Sequence, residues 1–177
     1  MKHFFKVGEV NILPLLHTIK RQSELWNAND LRTKFPGTPH AEADDIWLWF
    51  NPSDSEDIKN DKNVVPYPAW EKLPQARQIV FDLMRAVEAS QLGRVIITKL
   101  KPGAKITPHV DGGAPAEFYK RYQVALQSLP GAMFKIGDET VNFNTGDVWL
   151  IDNRTEHSVL NNSTDDRIVM IVDIRPA

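Results

Sequence analysis

The sequence predicts a mainly β fold, an antiparallel sandwich or barrel, for the part of the chain that follows Gly93. Short runs rich in Val, Ile and other strand-forming residues recur there at a spacing of roughly 8–12 residues. Turn-forming pairs such as Pro130-Gly131 separate these runs. This pattern is typical of antiparallel sandwiches and barrels. The predicted strands are 94–101, 121–128, 132–136, 139–143, 147–151, 157–160 and 167–174.

The N-terminal half is predicted to add strands and helices to the outside of this barrel. Residues 46–50 (IWLWF) are apolar and aromatic, which predicts a buried strand. The polar, breaker-rich residues 51–63 predict an exposed loop. Residues 74–90 place apolar side chains at helical spacing, with Pro74 at the start and Gly93 just beyond the end, so we expect a helix there.

The composition indicates one ordinary globular domain and excludes several kinds of site and partner. A chain of 177 residues with 42% hydrophobic and 25% charged residues predicts a single domain over 1–177, in which 1–92 packs on a core formed by 93–177. The net charge of −2 gives no electrostatic basis for binding nucleic acid or an anionic membrane. Since cysteine is absent, a metal site must use His, Asp or Glu.

The sequence shows no targeting or membrane-spanning segment. Charges at Lys6 and Glu9 interrupt the apolar N-terminus, which makes it a poor signal peptide. No stretch approaches the roughly 18 apolar residues that a transmembrane helix needs. We therefore expect a cytoplasmic protein.

Alternation along the predicted strands places some polar side chains in the interior. Arg121 and Gln123 share one strand face, and Arg167 shares a face with Val169 and Ile171. An arginine on an apolar, inward-facing row requires a partner, because a buried and unpaired charge is costly. Arg167 is therefore a candidate binding residue.

Three further residues are candidate metal ligands: His109, Asp111 and His157. Two neutral imidazoles and one carboxylate on one face of an octahedral ion leave three positions open, as in the facial triad of non-haem Fe(II) oxygenases. The spacing of His109 and Asp111 suits a strand end or a loop, where both side chains turn toward one point. The remaining histidines are expected to be structural or exposed: His3, His17 and His40.

Arg167 complements this metal set. A keto acid that chelates iron through its keto and carboxylate oxygens leaves its far carboxylate in need of a fixed cation. The planar guanidinium of arginine binds a carboxylate through two parallel hydrogen bonds. The three open metal positions then accommodate 2-oxoglutarate at two and O2 at one.

Residues 93–177 resemble the double-stranded β-helix (jelly-roll) core of the Fe(II)/2-oxoglutarate-dependent dioxygenases, and most closely the aspartyl/asparaginyl β-hydroxylase-like branch, which also includes proline hydroxylases. The resemblance rests on HVD (109–111), KRYQVALQS (120–128), PGAMFKIGDETV (130–141), GDVWLIDNRTEHSVLNNS (146–163) and DRIVMIVDI (166–174). It implies a jelly-roll or cupin-like barrel with an N-terminal strand-and-helix extension.

The resemblance also implies roles for individual residues. His109, Asp111 and His157 would hold Fe(II), and Arg167 would hold the C5 carboxylate of 2-oxoglutarate. Arg121 and Gln123 would lie near the cosubstrate, with Gln123 standing where many relatives have histidine. The implied reaction is hydroxylation of a C–H bond of an amino acid, free or within a peptide or protein, with release of succinate and CO2.

Two alternatives stay open at this stage. A cupin-type metal enzyme shares the barrel and the spacing of the histidines, but cupins commonly carry HxH followed by glutamate, and a cupin gives no role to Arg167. The second alternative is a degenerate barrel that only binds a ligand or partner, and the intact set of three candidate ligands with Arg167 argues against it. Binding of iron and 2-oxoglutarate without turnover would identify that second alternative.

Overall fold

The computed structural model describes all 177 residues, and its core consists of two antiparallel β-sheets that pack face to face. The strand order is β1-β9-β6-β11-β4-β2-β3 in the larger sheet and β5-β10-β7-β8 in the smaller. The predicted mainly β jelly-roll class is confirmed. No helix is both long and apolar enough to cross a membrane.

The strands and helices have the following bounds. The strands are β1 Phe4–Glu9, β2 Ala43–Phe50, β3 Val65–Pro66, β4 Ala89–Leu100, β5 Lys105–His109, β6 Lys120–Gln127, β7 Ala132–Ile136, β8 Glu139–Asn142, β9 Asp147–Ile151, β10 His157–Asn161 and β11 Arg167–Pro176. The helices are α1 Leu13–Lys20, α2 Leu31–Lys34, α3 Pro68–Lys72, α4 Pro74–Ala86 and α5 Ala114–Phe118.

Two apolar layers hold these elements together. The larger layer lies between the outer face of the seven-stranded sheet and the N-terminal helices, where Leu15 of α1 and Val80 of α4 pack against Val124 and Met170. The second layer lies between the two sheets and contains a group of aromatic side chains that includes Phe134. Because both faces of the larger sheet are covered, β6 and β11 are buried along most of their length.

The predicted strands after Gly93 are all present, and 132–136 and 147–151 match at both ends. The predicted helix is also present, but it ends at Ala86 rather than at residue 90. Glu88 has a positive φ of 52°, which breaks the helix before β4 begins at Ala89. Gly93 therefore lies inside a strand, where an added Cβ would come within 2.9 Å of the Tyr119 ring.

The N-terminal half is more closely integrated with the barrel than the sequence predicts. β1 pairs with β9, and β2 pairs with β4, so both extend the larger sheet. The expected boundary between residues 92 and 93 falls within β4. Neither β1 nor β5 was predicted, because each is short and interrupts its apolar residues with charged or proline residues.

Candidate functional site

The two candidate histidine ligands face each other on adjacent strands. His109 ends β5 and His157 begins β10, and the two residues are directly paired in the antiparallel register. Their ring centroids are 4.3 Å apart. Asp111 follows β5 by two residues, and its backbone N–H donates to the carbonyl of Asn153, which precedes β10. Strand pairing therefore brings together three residues that are distant in sequence.

The ligand atoms of these three residues all lie within 4.8 Å of one another. Oδ1 of Asp111 is 3.5 Å from Nε2 of His109 and 3.9 Å from Nε2 of His157. Ligands bound to one ion at about 2.1 Å and at right angles stand about 3 Å apart. A small inward movement of the three side chains therefore gives a facial arrangement around one ion.

Hydrogen bonds fix the ring orientation of both histidines in the same way. Nδ1 of His109 lies 2.8 Å from the carbonyl oxygen of Thr107, and Nδ1 of His157 lies 2.9 Å from that of Thr155. A carbonyl only accepts, so each Nδ1 carries the proton and each Nε2 keeps its lone pair for a metal. Burial lowers the pKa of His157 more than Asp111 raises it, which keeps this ring neutral near pH 7.

The second carboxylate oxygen of Asp111, Oδ2, accepts hydrogen bonds on the side away from the histidines. Arg121 Nη1 and Asn153 Nδ2 both donate to Oδ2, the latter at 2.9 Å, which leaves Oδ1 facing the histidines. Burial raises the pKa of Asp111, but Arg121 and the neighbouring histidines and amide outweigh this effect and hold the pKa well below its usual value. The carboxylate is therefore ionised and oriented as a ligand requires.

Arg121 is itself held by a second carboxylate. Its Nε and Nη2 donate to the two oxygens of the buried Asp173, each at 2.8 Å. Burial lowers the pKa of Arg121, but Asp173 and Asp111 outweigh it and raise the pKa above its usual value. All three guanidinium nitrogens thus have carboxylate partners, and the expected contact between Arg121 and the cosubstrate stays a prediction.

Arg167 is buried without any carboxylate partner. Its exposed fraction is 2%, and its side-chain hydrogen bond is a long one, 3.4 Å from Nη2 to Oε1 of the buried Gln123. The rings of Phe134 and Phe143 lie 5.7 and 6.0 Å from its guanidinium carbon. Burial alone lowers the pKa of Arg167 to about 10, so the group is charged near pH 7. A buried and unpaired cation of this kind requires an anion.

These groups line one narrow cavity between the two sheets. His109 and His157 lie in its wall together with Arg121, Gln123 and Arg167. The cavity has a volume of about 20 Å³, which is room for about one water.

Comparison with known proteins places the chain in a family. Residues 26–176 match the family described as aspartyl/asparaginyl beta-hydroxylase. The chain belongs to this hydroxylase family. The match confirms the superfamily and branch predicted from the sequence. The protein is therefore a 2-oxoglutarate-dependent hydroxylase, and its cofactors are Fe(II), 2-oxoglutarate and O2.

Solved structures of low sequence identity share the fold of this hydroxylase. A prolyl hydroxylase from Trichoplax adhaerens, in complex with a peptide fragment of hypoxia inducible factor, aligns with a TM-score of 0.66 and 11% identity over 98% of this chain and 83% of its own. A 2OG-Fe(II) oxygenase family oxidoreductase from Burkholderia pseudomallei gives 0.58 and 12% identity over 97% and 93%. A Pseudomonas putida prolyl-4-hydroxylase gives 0.56 and 14% over 99% and 94%. No curated protein matches the sequence.

The hydroxylase site contains one polar side chain on β4 that the sequence analysis did not identify. Thr98 lines the cavity, is 1% exposed, and its Oγ1 has no hydrogen-bond partner. Val169, two residues from Arg167, is its partner in the register. A threonine in an apolar strand is unremarkable in sequence, so nothing there indicates this role.

Two side chains from the N-terminal half also reach the cavity, Arg32 and His40. His40 was expected to be structural or exposed, but its ring stands edge-on to that of His109, with centroids 4.9 Å apart. Its Nδ1 is buried without a hydrogen-bond partner. Burial, together with Arg32 and His109, lowers the pKa of His40 to about 2, so the ring is neutral.

Gly113 is essential to the loop that follows the metal ligands, and we predict that Gly113→Ala destabilises the protein. The residue has a φ of 81°, and an added Cβ would lie 2.1 Å from the backbone oxygen of Lys59 in the loop 51–63. We expect a loss of about 1–3 kcal/mol in the free energy of unfolding, measured by denaturant titration. Gly112→Ala is the matched control, because an added Cβ there has no neighbour within 4 Å. Equal stability of the two variants would contradict this prediction.

Proposed function

We propose that the protein hydroxylates a C–H bond of an amino acid, free or within a peptide or protein, at an iron held by His109, Asp111 and His157. The observation that carries this proposal is the convergence of three suitable ligand atoms within 4.8 Å, at a cavity that is lined by both histidines and by the buried and unpaired Arg167. Bound Fe(II) and 2-oxoglutarate supply the oxidising chemistry, with succinate and CO2 as coproducts.

The donor set of this chain fits Fe(II). Two neutral imidazoles that present Nε2, together with one ionised carboxylate, form the ligand set of the facial triad. Arg121 and Asn153 bind the oxygen of Asp111 that does not face the histidines. We assign them to positioning this carboxylate, because outer hydrogen bonds of this kind orient metal ligands.

The polar groups deeper in the cavity fit the cosubstrate. Arg167 provides a planar guanidinium for the C5 carboxylate, and Gln123 lies beside it with its amide available for a further hydrogen bond. The unpaired hydroxyl of Thr98 supplies another donor to the same carboxylate. Binding of 2-oxoglutarate would thereby satisfy two buried polar groups that otherwise have few or no partners.

Similarity of fold supports an amino-acid-derived substrate. The Trichoplax adhaerens and Pseudomonas putida structures are prolyl hydroxylases, and the former is complexed with a peptide. One fold can host many different reactions, so these two structures support the substrate class by analogy.

The experiment is to incubate the protein aerobically with Fe(II) and 2-oxoglutarate, add candidate amino acids and peptides in turn, and measure succinate together with a product heavier by one oxygen atom. Binding of both ligands without any succinate would indicate the non-catalytic alternative.

We predict that Thr98→Val weakens binding of 2-oxoglutarate about tenfold, because it removes a hydrogen bond to a charged group. Valine has nearly the same shape, and the hydroxyl has no partner in the protein, so the melting temperature should be unchanged or higher. The measurement is a 2-oxoglutarate titration with Fe(II) present under argon, beside a thermal melt. Thr140→Val on the exposed surface of β8 is the control. Unaltered 2-oxoglutarate affinity in Thr98→Val would remove Thr98 from the cosubstrate site.

A further inference from the structure

Two polar side chains in the wall of the cavity have no role in holding iron or 2-oxoglutarate as proposed above. These are Arg32 and His40, both contributed by the segment between α1 and β2. The other charged or strongly polar groups of the cavity are assigned to the metal or to the cosubstrate. The reaction has one remaining component that is unassigned, which is the substrate.

Arg32 and His40 form one structural unit. Thr38 Oγ1 donates to the carbonyl of Arg32 at 2.7 Å and accepts from the backbone N–H of His40 at 3.2 Å. The carbonyl of His40 accepts from Ala43 at the start of β2, and that of Pro39 accepts from Thr107 on β5. The segment is thus attached to both sheets, and its two side chains are held in fixed relation to the metal ligands.

Both side chains have unused hydrogen-bonding capacity. Arg32 makes its two bonds to the buried Asp45 through Nη1, at 2.9 and 3.0 Å, which leaves Nε and Nη2 as free donors. His40 has a buried Nδ1 without a partner and a ring edge-on to His109. Buried polar groups in native proteins are nearly always paired, so an unpaired one beside an active site indicates a missing ligand.

The charges around the cavity indicate that the missing ligand carries a negative charge. Asp45 pairs with Arg32, while Asp111 and Asp173 pair with Arg121, so no acidic group of the cavity is left unpaired. Guanidinium nitrogens only donate, and two adjacent donors on one guanidinium match the two oxygens of a carboxylate. A cationic or hydrogen-bond-donating substrate group would find no free acceptor at Arg32.

We propose that Arg32 and His40 form the substrate-binding side of the cavity and bind the free α-carboxylate of an amino acid, so that its side chain is directed toward the metal ligands. The inference rests on the proposed function and narrows its substrate class from amino acids in general to amino acids with an unblocked carboxylate. It also assigns a function to the N-terminal half, which contributes both of these side chains to the cavity.

The test uses the twenty free L-amino acids, their carboxamides and the same residues within peptides blocked at both ends. Each compound is added under argon to the protein loaded with Fe(II) and 2-oxoglutarate. The shift of the visible charge-transfer band that the keto acid gives when it chelates the iron is recorded first, and succinate is then measured in air. We expect at least one free acid to shift the band, with its carboxamide at least about tenfold weaker. Equal response to acid and carboxamide, response to blocked peptides alone, or no response to any free acid would overturn the proposal.

His40→Phe tests the contribution of the imidazole, because phenylalanine keeps a planar ring and removes both nitrogens. The concentration of amino acid that gives half of the band shift should rise at least about tenfold, whereas Fe(II) and 2-oxoglutarate titrations should stay within about twofold of the wild-type values. His17→Phe, at an exposed histidine of α1, is the matched control. An unchanged response in His40→Phe would remove His40 from the site.

Arg32 requires a paired change, because its loss alone would leave the buried Asp45 without a counter-charge. The double variant Arg32→Met/Asp45→Asn removes both charges together, and we expect it to keep the 2-oxoglutarate band and to lose the amino-acid response. Retention of that response would overturn the role of Arg32. Failure of the proposed function is distinguishable, since the wild-type protein would then either lack the band before any amino acid is added or show the band and form no succinate in air.

Discussion

His157→Ala abolishes iron binding and, with it, all turnover of 2-oxoglutarate. The imidazole supplies one of three ligand atoms, and its Nε2 is fixed toward the other two by the bond from Nδ1 to Thr155. Loss of an outer hydrogen bond alone typically costs 10–100-fold in metal affinity, so loss of the ligand should cost more than about a hundredfold. The measurement is an anaerobic Fe(II) titration, with bound iron determined after rapid gel filtration.

The control for this variant is His17→Ala, which removes an exposed imidazole of α1, a helix that does not line the cavity. It should bind iron with wild-type affinity and show the same melting temperature. Stoichiometric iron in His157→Ala, with the protein folded, would show that the metal is held elsewhere. That result would contradict the assigned ligand set and leave the family membership unaffected.

Arg167→Met strongly weakens 2-oxoglutarate binding but leaves iron affinity near the wild-type value. The guanidinium is buried in the cavity without a carboxylate partner. Arg167 is not one of the three residues whose ligand atoms converge, so its loss leaves the metal site intact. Removing one side of a buried, hydrogen-bonded charge pair costs about 2–5 kcal/mol, which is roughly 30-fold to several thousandfold in affinity. The two affinities are measured by successive anaerobic titrations with Fe(II) and 2-oxoglutarate.

The same variant should raise the stability of the protein when 2-oxoglutarate is not added. An unpaired buried charge is destabilising, and methionine fills most of the same volume without a charge. We therefore expect a higher melting temperature than wild type in the absence of 2-oxoglutarate. Arg175→Met, at an exposed arginine on the same strand whose guanidinium lies over the Phe118 ring and not in the cavity, is the control: it should not raise the melting temperature and should leave 2-oxoglutarate affinity unchanged. Equal loss of iron and 2-oxoglutarate in Arg167→Met would contradict the separate roles assigned to these residues.

The barrel core is largely predictable from the sequence, because its strands are short, apolar and separated by turn-forming residues. The strands 132–136 and 147–151 are bounded on both sides by such residues and match at both ends. The edge strand β1 escapes prediction, since only Phe4 of it is buried and its apolar and polar residues do not alternate cleanly. The helix that ends at Ala86 shows that one residue with positive φ overrides helical spacing.

The candidate site is predictable where the chemistry needs unusual residues. The HxD spacing, a later histidine and an arginine on an inward-facing strand row identify His109, Asp111, His157 and Arg167, and the structure brings all four to one cavity or its edge. Their binding roles stay predictions until ligands are titrated. Sequence alone does not reveal that Arg121 binds Asp111, because that contact depends on how β6 lies beside the loop after β5.

The sequence does not identify side chains whose only distinguishing feature is a missing hydrogen-bond partner. A threonine in a strand and a histidine after a proline are common, and only the fold shows that Thr98 Oγ1 and His40 Nδ1 are buried beside the site without partners. Unsatisfied hydrogen-bonding capacity is a property of the packed structure. It therefore becomes visible only after the chain has been placed in three dimensions.

The most direct test of the account is an anaerobic titration of the metal-free protein with Fe(II) and then with 2-oxoglutarate, recorded in the visible spectrum. We predict a broad, weak charge-transfer band that requires both components, is lost in His157→Ala, and is recovered in Arg167→Met only at much higher 2-oxoglutarate. A folded protein that binds iron but gives no band with 2-oxoglutarate would contradict the central claim, because the keto acid would then not chelate the iron held by His109, Asp111 and His157.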